Sequence, residues 1–127
     1  MPEIHEIHAT DLLYNLDMNR AIDLINIAHK YNLSPTSMEI EMVGITAIVQ
    51  TEQVEIWFCT TDKEIAKASS DELNNLGFDS SFCSTGWDSN HIPHMVKEVL
   101  DKRMPLDKLS EWFGELIKSY EFLRNIL

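Results

Sequence analysis

An α+β fold is predicted for this chain, on three observations. The hydrophobic period changes from a helical spacing to an alternation of two at Ser37. It returns to a helical spacing at Thr61. The chain then closes on a long amphipathic stripe, Leu106, Leu109, Phe113, Leu116, Tyr120, Leu123 and Leu127, spaced alternately by three and four. The predicted order is α-β-β-α-β-α-α, a small antiparallel sheet packed against helices. The 127 residues suit one domain spanning 1–127.

Residues 1–9 fit either a short strand or an arm. Thr10 can cap a helix reaching about Tyr31, apolar around much of its circumference, with Asp17 as a second cap. Asn32 to Thr36 reads as a turn, since Pro35 opposes helix continuation. Met38, Ile40 and Met42 then alternate with Glu39 and Glu41. Val43, Ile45, Ala47 and Val49 follow with the opposite parity. Gly44 stands at the phase change, where a β-bulge would keep one inward face. A turn is expected at Thr51 to Gln53. Val54, Ile56 and Phe58 then alternate with Glu55, Trp57 and Cys59 in the second arm of a hairpin.

Thr61 and Glu64 form a capping box for the next helix, and Gly77 is a C-terminal stop. Ile65, Ala68, Ser69, Leu73 and Leu76 would be its inner face, with a break allowed at Ser69. Phe78 to Thr85 reads as a third strand. Ser89 can cap a helix that tolerates Pro93 in its first turn, and Pro105 separates it from the last helix. In that last helix Trp112, Ile117, Phe122 and Ile126 make the apolar arc wider than a coiled-coil seam. Such a helix can lie across its own sheet, or residues 106–127 can form a homodimer interface.

Composition is ordinary for a globular chain, with 44% hydrophobic and 24% charged residues. The balance of charge is not. Twenty-one acids against ten bases give a net charge of −11. That field repels phosphate backbones and anionic membranes, so neither nucleic acid nor membrane is expected as a partner. It favours encounter with a basic protein. No base lies between Lys30 and Lys63, where Glu39, Glu41, Glu52, Glu55 and Asp62 stand. A solvated surface that aids solubility is the plainer explanation of these carboxylates. Cys59 and Cys83 are the only cysteines, too few for a disulfide scaffold. With no signal-like opening and no apolar run near ~20 residues, a cytoplasmic protein is expected.

Four kinds of chemistry compete. His91, His94 and Glu98 share one helical stripe with Asp101, a donor set suited to zinc or another divalent metal. His5 and His8 repeat the spacing of three. Against this, His-x-x-His arises often by chance, and no cofactor is expected. Cys83 could act as a nucleophile beside a helix N-terminus, but no protease or oxidoreductase motif surrounds it. Glu39 and Glu41 share a strand face, yet exposed carboxylates shift each other's pKa little. The fourth is a protein-binding surface of Glu39, Glu41, Glu52 and Glu55 with Trp57, Trp87 and Trp112 as aromatic anchors.

No motif identifies a family. In size, low pI, opening helix, hairpin and closing helix the chain resembles the small acidic chaperones of type III secretion. As a class it is also similar to toxin-immunity proteins and phage-encoded inhibitors. That resemblance implies a non-enzymatic module that inhibits, neutralises or escorts a basic protein. The alternatives are a metal protein or enzyme centred on His91, His94 and Glu98, and a homodimer formed through the last helix.

Overall fold

The structure, a computed structural model, describes residues 4–45, 50–85 and 92–126, and their side chains except at 14, 43–45, 50, 51, 85, 92–96 and 120–126. The elements are β1 (Ile4–Leu12), a 3-10 turn (Leu13–Asn15), α1 (Met18–Lys30), β2 (Ser34–Ile45), β3 (Gln50–Thr60), α2 (Lys63–Asn75), β4 (Asp79–Thr85), α3 (Ile92–Asp101) and α4 (Leu106–Ile126). The four strands form one antiparallel sheet in the order β2-β3-β1-β4. This is the split β-α-β arrangement of ferredoxin-like folds, followed by two further helices. The α+β class and the antiparallel sheet are those expected, and the order gains one strand at its front.

That strand is β1, and it corrects the expected helix from Thr10. Thr10 lies in the sheet, opposite Glu55 on one side and Asp79 on the other. The alternation of β1 is blurred because both of its faces are partly covered. Ile7 and Ala9 enter the main core, while Ile4 is buried on the other face against Val99 and Leu100 of α3. The helix starts instead at Met18, where Asp17 accepts a hydrogen bond from the Arg20 amide at 2.9 Å.

Strand parity sorts the sheet into two faces. Ile7, Ala9, Val54, Ile56 and Phe58 look towards α1, α2 and α4 and make the core with Leu24, Leu73, Leu109 and Phe113. The β2 ladder slips twice, between Pro35 and Ser37 and between Met42 and Gly44. The second slip is the bulge expected from the phase change. The first leaves Thr36 as the extra residue, just after a proline that cannot donate to a ladder. The turn expected at Thr51 to Gln53 is instead part of β3, since Thr51 pairs with Gly44 and Gln53 with Glu41. No glycine, proline or asparagine marks that stretch, so polarity alone misplaces the turn.

Two helices end on matching caps. Gly77, at φ 100°, donates to Asn74 O, and Phe78 N donates to Leu73 O. Asn32, at φ 52°, does the same for α1, with Leu33 N donating to Ala28 O at 2.8 Å. Asp62, rather than Thr61, caps α2 through the amides of Glu64 and Ile65. The helix is continuous through Ser69, whose hydroxyl donates back to Ile65 O and Ala66 O. Its buried residues are Ala66, Ser69, Ser70 and Leu73; Leu76 is exposed and Ile65 and Ala68 are half-buried.

Arg20 joins three elements. Its Nε donates to Asp11 Oδ2 at 2.6 Å, its Nη1 to Leu76 O at 3.2 Å, and its guanidinium lies 4.8 Å from the centre of the Phe78 ring. The last helix, α4, lies against α1 and β2, with Leu109, Phe113 and Ile117 in the core and Leu106, Trp112 and Leu116 half-buried at its margin. The peptide between α3 and α4 is tied to the sheet by Met104 N donating to Pro35 O at 2.9 Å.

Candidate functional site

Three helices cover one face of the sheet, and α3 covers one end of the other. Among the described residues, the part of that face beyond α3 carries exposed Glu39 and Glu41 from β2 and half-buried Glu55 and Trp57 from β3 and His8 from β1. The register places Glu39 opposite Glu55, Glu41 opposite Gln53 and His8 opposite Trp57. Glu41 and Glu55 are therefore diagonal neighbours, close enough for two carboxylates to interact.

Glu55 is the hub. The Trp57 indole Nε1 donates to its Oε1 at 2.6 Å, and His8 Nε2 lies 3.6 Å from the same oxygen. The His8 and Trp57 rings lean on each other, with centroids 4.6 Å apart at 46°. The indole hydrogen bond holds Glu55 below its ordinary pKa, helped by a hydrogen bond from Glu41 and by His8. Glu41 is pushed the other way, by its hydrogen bond to Glu55 and by repulsion from it. Of the two, Glu41 is therefore the first to take a proton as pH falls. Trp57→Phe removes the largest cause of the depression. It is expected to move the Glu55 titration up towards the ordinary carboxylate range, read by carboxyl-carbon NMR. An unmoved Glu55 would show that the indole is not responsible.

Of the seven residues expected as a partner surface, Glu39, Glu41, Glu55 and Trp57 come together. Glu52 does not. It pairs with Met42 and has the parity of Val54 and Ile56, so it belongs to the helix-side face. Trp112 is on α4, half-buried and edge-on to Phe113 with centroids 5.3 Å apart. Trp87 lies outside the described residues, as do His91 and Ser89. His8 was not expected here. Its place follows from β1 being a strand, which puts it on the parity of Glu6 and Thr10.

His91 is outside the described residues, the His94 side chain is too, and Glu98 is exposed on α3. No group of three or more His, Cys, Asp or Glu converges on a metal position among the described residues. His5 and His8 cannot converge, because three residues along a strand reverses the face. The His5 ring is buried, with Nδ1 2.8 Å from Ser84 Oγ. The two thiols flank Glu6 across β1: burial raises the pKa of Cys59, while Cys83 is exposed and is raised by partial desolvation and by the charge of Glu6. Less thiolate at Cys83 weakens the nucleophile reading.

Two cavities adjoin α3. One of about 240 Å³ includes Glu6, Ser37, Glu39, Trp57, Val99 and Lys102 in its wall. The other, about 380 Å³, lies at the same end of the sheet between Tyr31, Ser34, Cys59, Thr61, Leu100 and Arg103. Lys102 stands with Glu39 in the wall of the first cavity, yet the two form no ion pair. No helix among the described residues is long and apolar enough to cross a membrane.

No protein-family model and no curated protein sequence matches this chain. Among solved structures it is similar to an unknown protein from Galdieria sulphuraria, at 8% identity and a TM-score of 0.45 over 67% of this chain and 51% of that one. The match thus spans about half the length of that protein. It is also similar to the divalent ion tolerance protein CutA1 from Ehrlichia chaffeensis, at 12% identity and a TM-score of 0.44 over 78% of this chain and 96% of that one. A third is the ACT domain from GTP pyrophosphokinase of Chlorobium tepidum, at 7% identity and a TM-score of 0.39 over 72% and 97%. Likenesses this distant bear on no function.

Proposed function

We propose that this chain is a non-enzymatic binding module that inhibits, neutralises or escorts a basic protein, engaging it through the open face of the sheet. One observation carries the reading. Glu39, Glu41 and Glu55 share the uncovered face with Trp57, in a chain of net charge −11. The carboxylates would draw a cationic surface in and orient it. Trp57, half-buried and fixed by its hydrogen bond to Glu55, would supply a flat apolar anchor.

The test compares wild type with Glu41→Lys as affinity baits at low salt, eluting with a salt gradient, and then measures association of the captured protein. Glu41 is exposed, so the change should leave the fold intact. The association rate should fall steeply with salt for wild type, and by roughly tenfold at low salt in the variant. Binding that ignores both salt and Glu41→Lys would rule the reading out.

A further inference from the structure

The feature with no assigned role is the outer edge of β2. Among the described residues, β2 is hydrogen-bonded into the sheet through β3 alone. Its first residues are closed off, because Met104 N already occupies Pro35 O. Beyond the slip at Thr36 the ladder runs regularly from Ser37 to Met42, up to the second slip. That leaves six residues, about 20 Å of strand, with one side open.

The side chains of this stretch divide by face. Ile40 and Met42 continue the helix-side face, yet they are 43% and 55% exposed, so they extend the apolar face past what the helices cover. Glu39 and Glu41 are exposed on the opposite face, and neither is in an ion pair with a described base. An added strand would meet both sets, since residues facing each other across a ladder share a face.

We propose that Ser37 to Met42 is a strand-addition site for an extended basic segment of a partner protein, one whose lysines or arginines alternate with aliphatic residues. The cations would lie beside Glu39 and Glu41, and the aliphatic residues beside Ile40 and Met42. The partner backbone would pair with the open side of β2. A second copy of this chain fits worse. Antiparallel pairing about Ile40 would set Glu39 of one copy against Glu41 of the other, and like charges directly opposite are destabilising. The edge of β4 offers no comparable pattern, since Asp79 is its one charged residue. The inference rests on the basic-partner reading and adds the mode of recognition.

The probe is a capped hexapeptide alternating lysine and valine, added to the full isotopically labelled chain. Binding is read by amide shifts in NMR and by fluorescence anisotropy. Three controls accompany it: a peptide of the same composition in two blocks, and two alternating peptides N-methylated on one or the other set of amides. The alternating peptide should shift the amides of 37–42. Methylating the inward set should weaken it roughly tenfold or more, since each lost backbone bond is worth a several-fold change. Methylating the outward set should leave it unchanged. If all four peptides bind alike and release with salt, strand addition is wrong while the basic-partner reading stands. If shifts fall on 79–85 instead, the assignment to β2 is wrong. If no cationic peptide binds, both readings fall.

Discussion

Phe113→Ala is expected to lower stability by about 3–5 kcal/mol. Phe113 is fully enclosed, between Leu109 and Ile117 on its own helix, with α1 and β2 against that helix. Alanine would leave a void that the remaining aliphatic side chains of two helices and a strand cannot close without moving the helix itself. The measurement is the urea midpoint with an unchanged slope, repeated at two protein concentrations. A midpoint independent of concentration and strongly lowered by the substitution makes α4 part of the chain's own core. A loss under about 1 kcal/mol would mean that α4 is held elsewhere, and an interface through residues 106–127 would become the better account.

Arg20→Ala is expected to cost about 2–4 kcal/mol, below the range for a fully buried pair because Arg20 is 28% exposed. The loss falls mainly on what it leaves behind. The Asp11 side chain is only 5% exposed and would keep a charge with its 2.6 Å partner gone. The cap of α2 would also lose the donor to Leu76 O and the cation over Phe78. Gly77 shares this site: a Cβ built on it would stand 3.3 Å from the guanidinium nitrogens. Adding Asp11→Asn to Arg20→Ala removes the stranded charge and should recover part of the loss. Thermal and urea unfolding of the two variants separate the terms. An Arg20→Ala change within about 0.5 kcal/mol would show that Asp11 finds water instead.

How much could be read beforehand depends on which contacts decide each element. The hairpin, α2, the third strand and the two closing helices follow local periods and breakers, and Gly44 marked its bulge by reversing the alternation. The opening strand reads equally well as an arm, and its last residues as the start of a helix, because its pattern answers to partners far away. Ile4 looks out of phase until Val99 and Leu100 cover it. Leu12, Leu13 and Leu16 fit a helical spacing as well as a strand and a tight turn, and only pairing to β3 and β4 decides between them. In the candidate site, Glu39, Glu41 and Glu55 were legible from alternation. Grouping Glu52 with Glu55 ignored that residues three apart on a strand face opposite ways. His8 was missed because its neighbours on that face come from the pairing of β1 with β3, which no local pattern announces.

The strand order has a consequence for how the chain is made. β1 precedes every other described element in the chain, yet it lies inside the sheet, with Ile7 between Phe58 and Phe82. Neither neighbour is adjacent in sequence, so the loops that must close are long and the early contacts few. During synthesis the hairpin of β2 and β3 can form by itself, while β1 meets the first of its two partner strands only once residues near 60 have emerged. Its second partner arrives some twenty residues later still. The segment Ile4 to Leu12 therefore waits longer on the ribosome for its partners than β2, β3 or β4 does, and of the four strands it has the most opportunity to pair wrongly.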